Sequence, residues 1–316
     1  MFVNYVGDSL RERYGHKLYK LALDGGMTCP NRDGTLGTEG CIFCLDGSGA
    51  FAERRAASVS EQVERAKLRV SAKAGKDCGY IAYFQSYTNT YAPAGYLERL
   101  FGETIACEGV EILSVATRPD CLPPETISLL SRLNKIKPVW VELGLQTSNE
   151  RTAELIRRGY LTPVYDDAVR RLRAEGIETV THIIFGLPGE TRADMLSTVR
   201  HVAGLCRETE NISATAAPMG VKLQLLHILR GTALYDMYAA GQVRPMERDE
   251  YISTVCEALT LLPREMIVHR LTGDGDKCSL AAPLWSGDKK AVRAAMDRAL
   301  RERDIVQGSG EGFQIC

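Results

Sequence analysis

Residues 29–44 read Cys29-Pro-Asn-Arg-Asp-Gly-Thr-Leu-Gly-Thr-Glu-Gly-Cys41-Ile-Phe-Cys44. Two cysteines separated by two residues can hold one metal centre from a single tight turn. Gly34, Gly37 and Gly40 let the backbone curl so that Cys29 can return to the same centre. Three thiolates with no fourth nearby leave two chemistries open. One is a zinc site completed by a distant His or Cys, since a closed structural zinc wants four ligands. The other is an iron–sulfur cluster in which one iron keeps an open position, because a conventional electron-transfer cluster takes four cysteines.

The surroundings of this loop set the fold. Ahead of it, Lys17–Leu23 reads as a strand. Behind it, short apolar runs alternate with longer amphipathic ones. Strands are expected at Tyr80–Phe84, Glu111–Ala116, Val139–Leu145, Glu178–Phe185 and Val221–Leu229. Helices are expected over Ser60–Ala74, within Ala94–Cys107, and near Glu125–Leu133, Glu150–Arg158 and Arg192–Cys206. Ser58 and Glu61 stand at capping-box spacing before the first of these. Thr162 is expected to cap a further helix, with Pro163 at its first position and Gly176 beyond its end. Buried apolar strands separated by helices argue for a parallel sheet with right-handed crossovers. The fold class is therefore α/β: a partial, TIM-like barrel of six strand–helix units, with an open doubly wound sheet as the alternative. Either architecture puts its ligand site at the carboxyl ends of the strands.

After Leu229 the rhythm changes. Helices over Thr232–Ala240, Glu247–Leu262 and Asp288–Arg303 flank a strand-like Met266–Leu271. Residues 1–230 are thus expected to form the core, with its cysteine loop at 24–46. Residues 231–316 are expected to be an α-rich extension packing on it.

Bulk composition narrows the function. With 39 basic and 40 acidic residues, the formal charge is −1. Nothing global favours nucleic acid or an anionic membrane. The first 20 residues have neither the apolar run of a signal peptide nor a transit-peptide bias. No segment approaches the roughly 20 apolar residues of a membrane helix, so the chain reads as cytoplasmic. Ten cysteines in that compartment raise metal binding or catalysis before disulfides. Cys206 and Cys256 sit in amphipathic helical patterns as small core residues, and Cys316 has no close cysteine neighbour. No Gly-x-Ser-x-Gly elbow or His-Glu-x-x-His motif supports a hydrolase.

The cysteine loop and its place in the chain resemble the cluster loop of the radical S-adenosylmethionine (SAM) superfamily. The common superfamily spacing has three residues between the first two cysteines, whereas this chain has 11. That departure is shared by a subgroup near the Elongator catalytic subunit and the YhcC-like proteins. Five further phrases are similar to that subgroup: Phe84-Gln-Ser-Tyr-Thr-Asn-Thr-Tyr-Ala-Pro93, Ala116-Thr-Arg-Pro-Asp120, Glu142-Leu-Gly-Leu-Gln-Thr147, His182-Ile-Ile-Phe-Gly-Leu-Pro-Gly-Glu190 and His269-Arg-Leu-Thr-Gly-Asp-Gly275. The resemblance spans nearly the whole chain and is closest to the YhcC-like proteins.

The resemblance implies a [4Fe-4S] cluster on Cys29, Cys41 and Cys44, with SAM chelating the open iron. One electron from an external donor such as flavodoxin or ferredoxin would cleave SAM to methionine and a 5′-deoxyadenosyl radical. That radical would take hydrogen from an unidentified substrate. The cofactor carries the chemistry, and the protein orients it and excludes water. Where many members have Gly-Gly-Glu near the SAM ammonium, this chain has Gln85-Ser86 and Thr88-Asn89, whose oxygens could accept from it. Gln146 and Arg158 match a pair that contacts SAM in the related oxygen-independent coproporphyrinogen oxidases, the Arg being suited to the carboxylate. Arg157 is a neighbouring candidate. His182 stands where those oxidases place a SAM-contacting acid and can bond a ribose hydroxyl. Gly186, Leu187 and Pro188 form the turn expected to lie against adenine.

Period-two alternation puts Glu142 on the same interior face as Gly144 and Gln146; such a buried carboxylate needs a partner, and Arg118 is the candidate. His227, His269, Arg270 and Asp274 are candidates for the substrate side. The bland alternatives are a polar turn at 85–89, a solvated helix end at Arg158 and a core histidine at 182. The competing function is a non-enzymatic iron–sulfur or zinc protein for electron transfer or partner binding.

Overall fold

The computed structural model describes residues 2–45, 52–53, 55–72, 77–212, 217–273 and 275–310, and of 211 and 212 only the backbone. Asp274, Cys316 and the last residue of the 24–46 loop lie outside the described residues.

The chain opens with α1 (Val6–Tyr14) and β1 (Lys17–Leu23). Alternation then runs α2 (Val59–Ser71), β2 (Cys78–Phe84), α3 (Ala94–Ala106), β3 (Val110–Thr117), α4 (Pro124–Asn134) and β4 (Val139–Gln146). It continues through α5 (Glu150–Leu155), α6 (Thr162–Ala174), β5 (Glu178–Phe185), α7 (Arg192–Ile212) and β6 (Met219–Leu225). A short β7 (Ile228–Leu229) follows, then α8 (Ala233–Ala239), α9 (Arg248–Leu261), β8 (Ile267–Arg270), β9 (Leu280–Ala282) and α10 (Lys289–Glu302). Half of the capping box before α2 forms: the Ser58 hydroxyl accepts from the Glu61 amide at 3.2 Å, while the Glu61 carboxylate accepts from the Ala57 amide at 3.2 Å instead of from Ser58. α6 begins differently from expectation: Leu161 is its N-cap and Thr162 its first residue. The Thr162 hydroxyl accepts from Arg158 at 3.3 Å, and its amide donates to Glu150 at 2.7 Å.

The main sheet has seven parallel strands in the order β1-β2-β3-β4-β5-β6-β8. The expected six thus become seven, because β8, from the presumed extension, hydrogen-bonds to β6. The sheet curls strongly. Lys222 Nζ on β6 lies 3.3 Å from the Tyr83 hydroxyl on β2, four strands away. A flat sheet would separate those strands by roughly 19 Å at about 4.8 Å per step.

The curl closes round two interior layers. At the amino-terminal end of the strands, Leu18, Ile81, Ile112 and Trp140 cluster with Leu10 of α1. The N-terminal segment also reaches the far edge, the Asn4 carbonyl accepting from the Val268 amide at 2.8 Å. Above this apolar plug the inward residues turn polar. Outside, the other face of each strand packs against the helices in one large core that includes Phe84, Leu143, Phe185 and Leu223.

His269 belongs to the plug and not to the polar layer: its ring meets Trp140 edge-on, centroids 5.0 Å apart. The ring lies over Gly220, where an added Cβ would come within 2.6 Å of it. Gly220→Ala is therefore expected to cost about 1–3 kcal/mol by overpacking. Urea unfolding followed by circular dichroism checks this; an unchanged midpoint would mean that the ring yields freely.

Candidate functional site

The cysteine loop caps the carboxyl ends of the strands. Its course is fixed by bonds that bring distant elements together. Asn31, nearly fully buried, donates to the Arg157 carbonyl at 2.7 Å and reaches Cys41 Sγ at 3.5 Å. Arg32 donates to the Cys44 carbonyl at 2.7 Å. Gly40 has φ +75°, and a side chain there would strike the Arg32 guanidinium at 2.9 Å. The left-handed backbone favours glycine at this bend, and a side chain there would displace the Arg32 guanidinium.

The three thiols are half-buried and unpaired. Burial pushes the Cys41 thiol up to about 11, with the Cys44 thiol adding to the effect, so a cationic metal would be needed to hold it as thiolate. A mononuclear tetrahedral zinc with Zn–S near 2.3 Å spaces its sulfurs about 3.8 Å apart. Among the described residues, three ligand atoms within 4.8 Å of one another occur at Cys206, Glu210 and Glu265, and the loop thiols do not form such a trio. The loop is spread more widely than a single zinc ion wants.

Beneath the loop lies a cavity of about 550 Å³, inside the range of about 300–1,000 Å³ usual for small-molecule sites. Cys29, Cys41 and Cys44 all border it. Of the residues expected to meet a cosubstrate, Gln85, Thr88, Gln146, Arg158 and His182 line it. Ser86, Asn89, Gly186, Leu187 and Pro188 do not. Asn89 is fully buried and donates from Nδ2 to the Ala116 carbonyl at 2.9 Å, tying the end of β2 to that of β3. Gly186 is covered by Met246, which would touch an added Cβ at 2.9 Å. Leu187 packs with Ile42 and Ile156 in a small apolar cluster.

Gln146 is the most unusual of the lining residues. It ends β4 at a register shift against β5, and its φ is +68°. A non-glycine residue in left-handed backbone at a bulge is a costly arrangement, often kept for function. Its side chain folds back over Gly144, where an added Cβ would meet Nε2 at 2.6 Å. Its Oε1 is buried without a partner, an acceptor that a ligand could satisfy.

Arg158 is engaged throughout. Nε donates to the Tyr160 carbonyl, Nη1 to the Leu145 and Thr147 carbonyls, and Nη2 to Glu150 and Thr162, at 2.6–3.3 Å. With all five donors accounted for, this guanidinium clamps the end of β4 to the start of α6. Arg157 is half-exposed and pairs with Glu39 in the loop. Tyr160 lies between two guanidinium groups, 5.0 Å from Arg118 and 4.7 Å from Arg158.

The expected Arg118–Glu142 pair does not form. Arg118 makes a bidentate contact with Asp120 at 2.9 and 2.7 Å. Glu142 lies deeper, completely buried. Its Oε1 accepts from Lys20 Nζ and the Ser114 hydroxyl, both at 3.0 Å. Its Oε2 accepts from Lys222 Nζ and from His182 Nε2, the latter at 2.7 Å. Burial pushes Glu142 up, but Lys20, Lys222 and His182 together hold its carboxyl well below the usual range. Burial and neighbouring Lys222 push His182 down to about 4, so its ring is neutral near pH 7. Lys222 and Tyr83 are functional candidates that the sequence reading passed over. The signal for Lys222 is a cation in a short strand whose alternate residues are apolar, Val221-Lys-Leu-Gln-Leu225. Of the other substrate-side candidates, His227 and Arg270 line the cavity.

Comparison with known proteins shows the family. A family model described as the Radical SAM superfamily matches residues 33–202, and one described as the Radical_SAM C-terminal domain matches residues 218–302. Protein YtqA of Bacillus subtilis (strain 168) is 44% identical over 300 residues, covering 95% of this chain and 89% of that one. Protein YhcC of Escherichia coli (strain K12) is 36% identical over 312 residues, covering 98% and 96%. In structure, Elp3 of the archaeon Methanocaldococcus infernus, with an N-terminal deletion, is similar with a TM-score of 0.66 at 16% identity. The match covers 92% of this chain and 64% of that one, and is a likeness of fold. No helix among the described residues is long and apolar enough to cross a membrane.

Proposed function

This chain belongs to the radical SAM superfamily and is an enzyme of that class; from that premise we propose that Cys29, Cys41 and Cys44 hold a [4Fe-4S] cluster at which SAM is reductively cleaved to act on a substrate in the cavity below. Members of the family generally bind a cluster and SAM, act on a substrate and need an electron donor. When bound, the pair supplies a 5′-deoxyadenosyl radical able to remove hydrogen from that substrate.

The donor set fits. Three soft thiols line one end of a cavity, more widely spread than a mononuclear site needs. The observation that carries the cosubstrate half is Gln146, whose buried Oε1 has no partner in the protein. In our reading it accepts from a donor group of SAM. Gln85 and Thr88 line the cavity on the β2 side. The neutral His182 ring, with Nε2–H donated to Glu142, leaves Nδ1 as an acceptor for a ribose hydroxyl. Arg158 has no N–H to spare, so its part is to position the β4 turn that carries Gln146. The apolar side chains of Phe43, Ile156, Ile184 and Leu226 wall the cavity and would exclude water from a reactive intermediate.

Two measurements test this reading. Protein reconstituted with iron and sulfide without oxygen is expected to be brown and, once reduced with SAM present, to release 5′-deoxyadenosine. Gln146→Gly keeps the left-handed backbone while removing the acceptor. It is expected to weaken SAM binding roughly fivefold, the loss of about 1 kcal/mol of hydrogen bonding, with no loss of fold stability. Unchanged SAM affinity in this variant would remove Gln146 from the site.

A further inference from the structure

Among the described residues, Lys20 and Lys222 on the cavity floor bring more N–H donors than the Glu142 carboxylate can accept. Glu142 receives four donors, two on each oxygen, which fills its lone pairs. Two of those donors belong to ammonium groups. Lys222 uses its N–H bonds on Glu142 and the Tyr83 hydroxyl, and Lys20 uses one on Glu142. Each ammonium has three donors, so three N–H bonds in this layer have no acceptor among the described residues. The His182 ring adds no anion. Arg270, paired across the sheet with Lys222, brings a third cation to the same wall of the cavity.

Resting on the function proposed above, we infer that Lys222, with Lys20 and Arg270 beside it, forms an anion subsite on the barrel floor, and that the substrate carries a carboxylate or phosphate group that docks there. The ammonium of Lys222 is nearly fully buried and lines the cavity. Burial, Lys20 and Arg270 push it down to about 7 despite Glu142. An incoming anion would relieve that stress, which is the usual reason a buried cation excess marks a ligand site. The ring of Tyr83 lies under both ammonium groups, 4.5 Å from Lys20 and 4.8 Å from Lys222. It holds them on the interior side, facing the ligand.

The test is calorimetric titration of the reconstituted enzyme, with SAM bound, by malonate, inorganic phosphate and the uncharged isostere malonamide. The wild type is expected to bind at least one anion and not the amide. Tighter malonate points to a carboxylate substrate, and tighter phosphate to a phosphate ester. Lys222→Gln is expected to weaken the anion about tenfold, while Lys222→Arg retains it. Lys20→Gln leaves the Lys222–Glu142 pair in place and is expected to weaken the anion about threefold, with no change toward malonamide. This arm decides the matter if Lys222→Gln does not fold. The inference is overturned if no anion binds the wild type, if malonamide binds equally well, if Lys20→Gln binds the anion as tightly as the wild type, or if malonate displaces SAM. Release of 5′-deoxyadenosine is measured on the same wild-type preparation. Anion binding without that release would sink the SAM reading and leave the subsite standing; release without anion binding would do the reverse.

Discussion

Changing Cys29, Cys41 and Cys44 together to Ala is expected to give a colourless protein that releases no more 5′-deoxyadenosine than a protein-free control. The thiols are half-buried, and their loop is held by other groups: the Asn31 bond to Arg157, the Arg32 bond to Cys44's backbone carbonyl and the left-handed Gly40. None of these depends on a sulfur atom, so the variant is expected to keep its fold, with a stability change within about 1 kcal/mol of the unreconstituted wild type. Iron content, visible absorption and product release are measured side by side with urea unfolding. Retained cleavage in a folded, iron-free triple variant would show that the cluster is not where these residues put it.

Much of this site was legible because a parallel sheet buried on both sides writes each strand as an apolar run, and because strand ends are where a β/α fold keeps its ligands. Lys17–Leu23 and Glu178–Phe185 could be bounded to the residue. The seventh strand was read as part of the extension. Ile267–Arg270 is only four residues long and follows two consecutive helices, α8 and α9, so the alternation that identifies a barrel strand is broken before it arrives. α1 was missed because its sequence is largely polar, with Leu10 its one buried residue.

The misjudged partner of Glu142 has a different cause. Alternation tells which face a residue points to, and Glu142 does face inward with Gly144 and Gln146. It does not tell depth along the barrel axis. Arg118 lies beyond the end of β3, level with the loop, whereas Glu142 lies a layer lower with Lys20 and Lys222. Arg158 illustrates the same limit. A spacing of 12 residues from Gln146 is visible in the sequence, but the five acceptors that consume its donors come from four different segments. Only the folded chain brings them together.

Glu142→Gln is expected to cost about 3–5 kcal/mol near pH 6, the usual effect of removing one member of a buried ion pair, and the loss should be smaller once pH has risen through about 7. The sign follows from linkage. In the wild type the Glu142 carboxyl is held below its ordinary range, so its contribution is present above the unfolded carboxylate value and is lost as pH falls through the folded one. Lys222 is pushed the other way for a base, down to about 7. From about pH 7 up to its unfolded value near 10.4, the unfolded chain binds the extra proton, and folding gains stability as pH rises.

Removing the Glu142 charge lowers Lys222 further, because that charge is what raises it. Between pH 5 and 7 the variant must therefore bury Lys222 either unpaired or deprotonated, and both are costly. As pH rises through about 7 the ammonium gives up its proton in the wild type as well, so above that value this part of the difference is gone. The contact from Lys20 and the hydrogen bonds from Ser114 and His182 remain as the residue of the effect. Among the described residues, Lys20, Lys222, His182, Arg270, Tyr83 and His269 are the charged or titratable groups acting on this layer; burial raises Tyr83 well above its ordinary value and lowers His269 well below its own, so both stay neutral between pH 6 and 9.5. With His182 already neutral well above pH 4, the slope in this window belongs to Lys222. Urea unfolding of wild type and variant at pH 6 and pH 9.5 measures it. A difference that stayed constant between those values would mean that Lys222 does not titrate in this range and that the ion pair is held by something other than its charge.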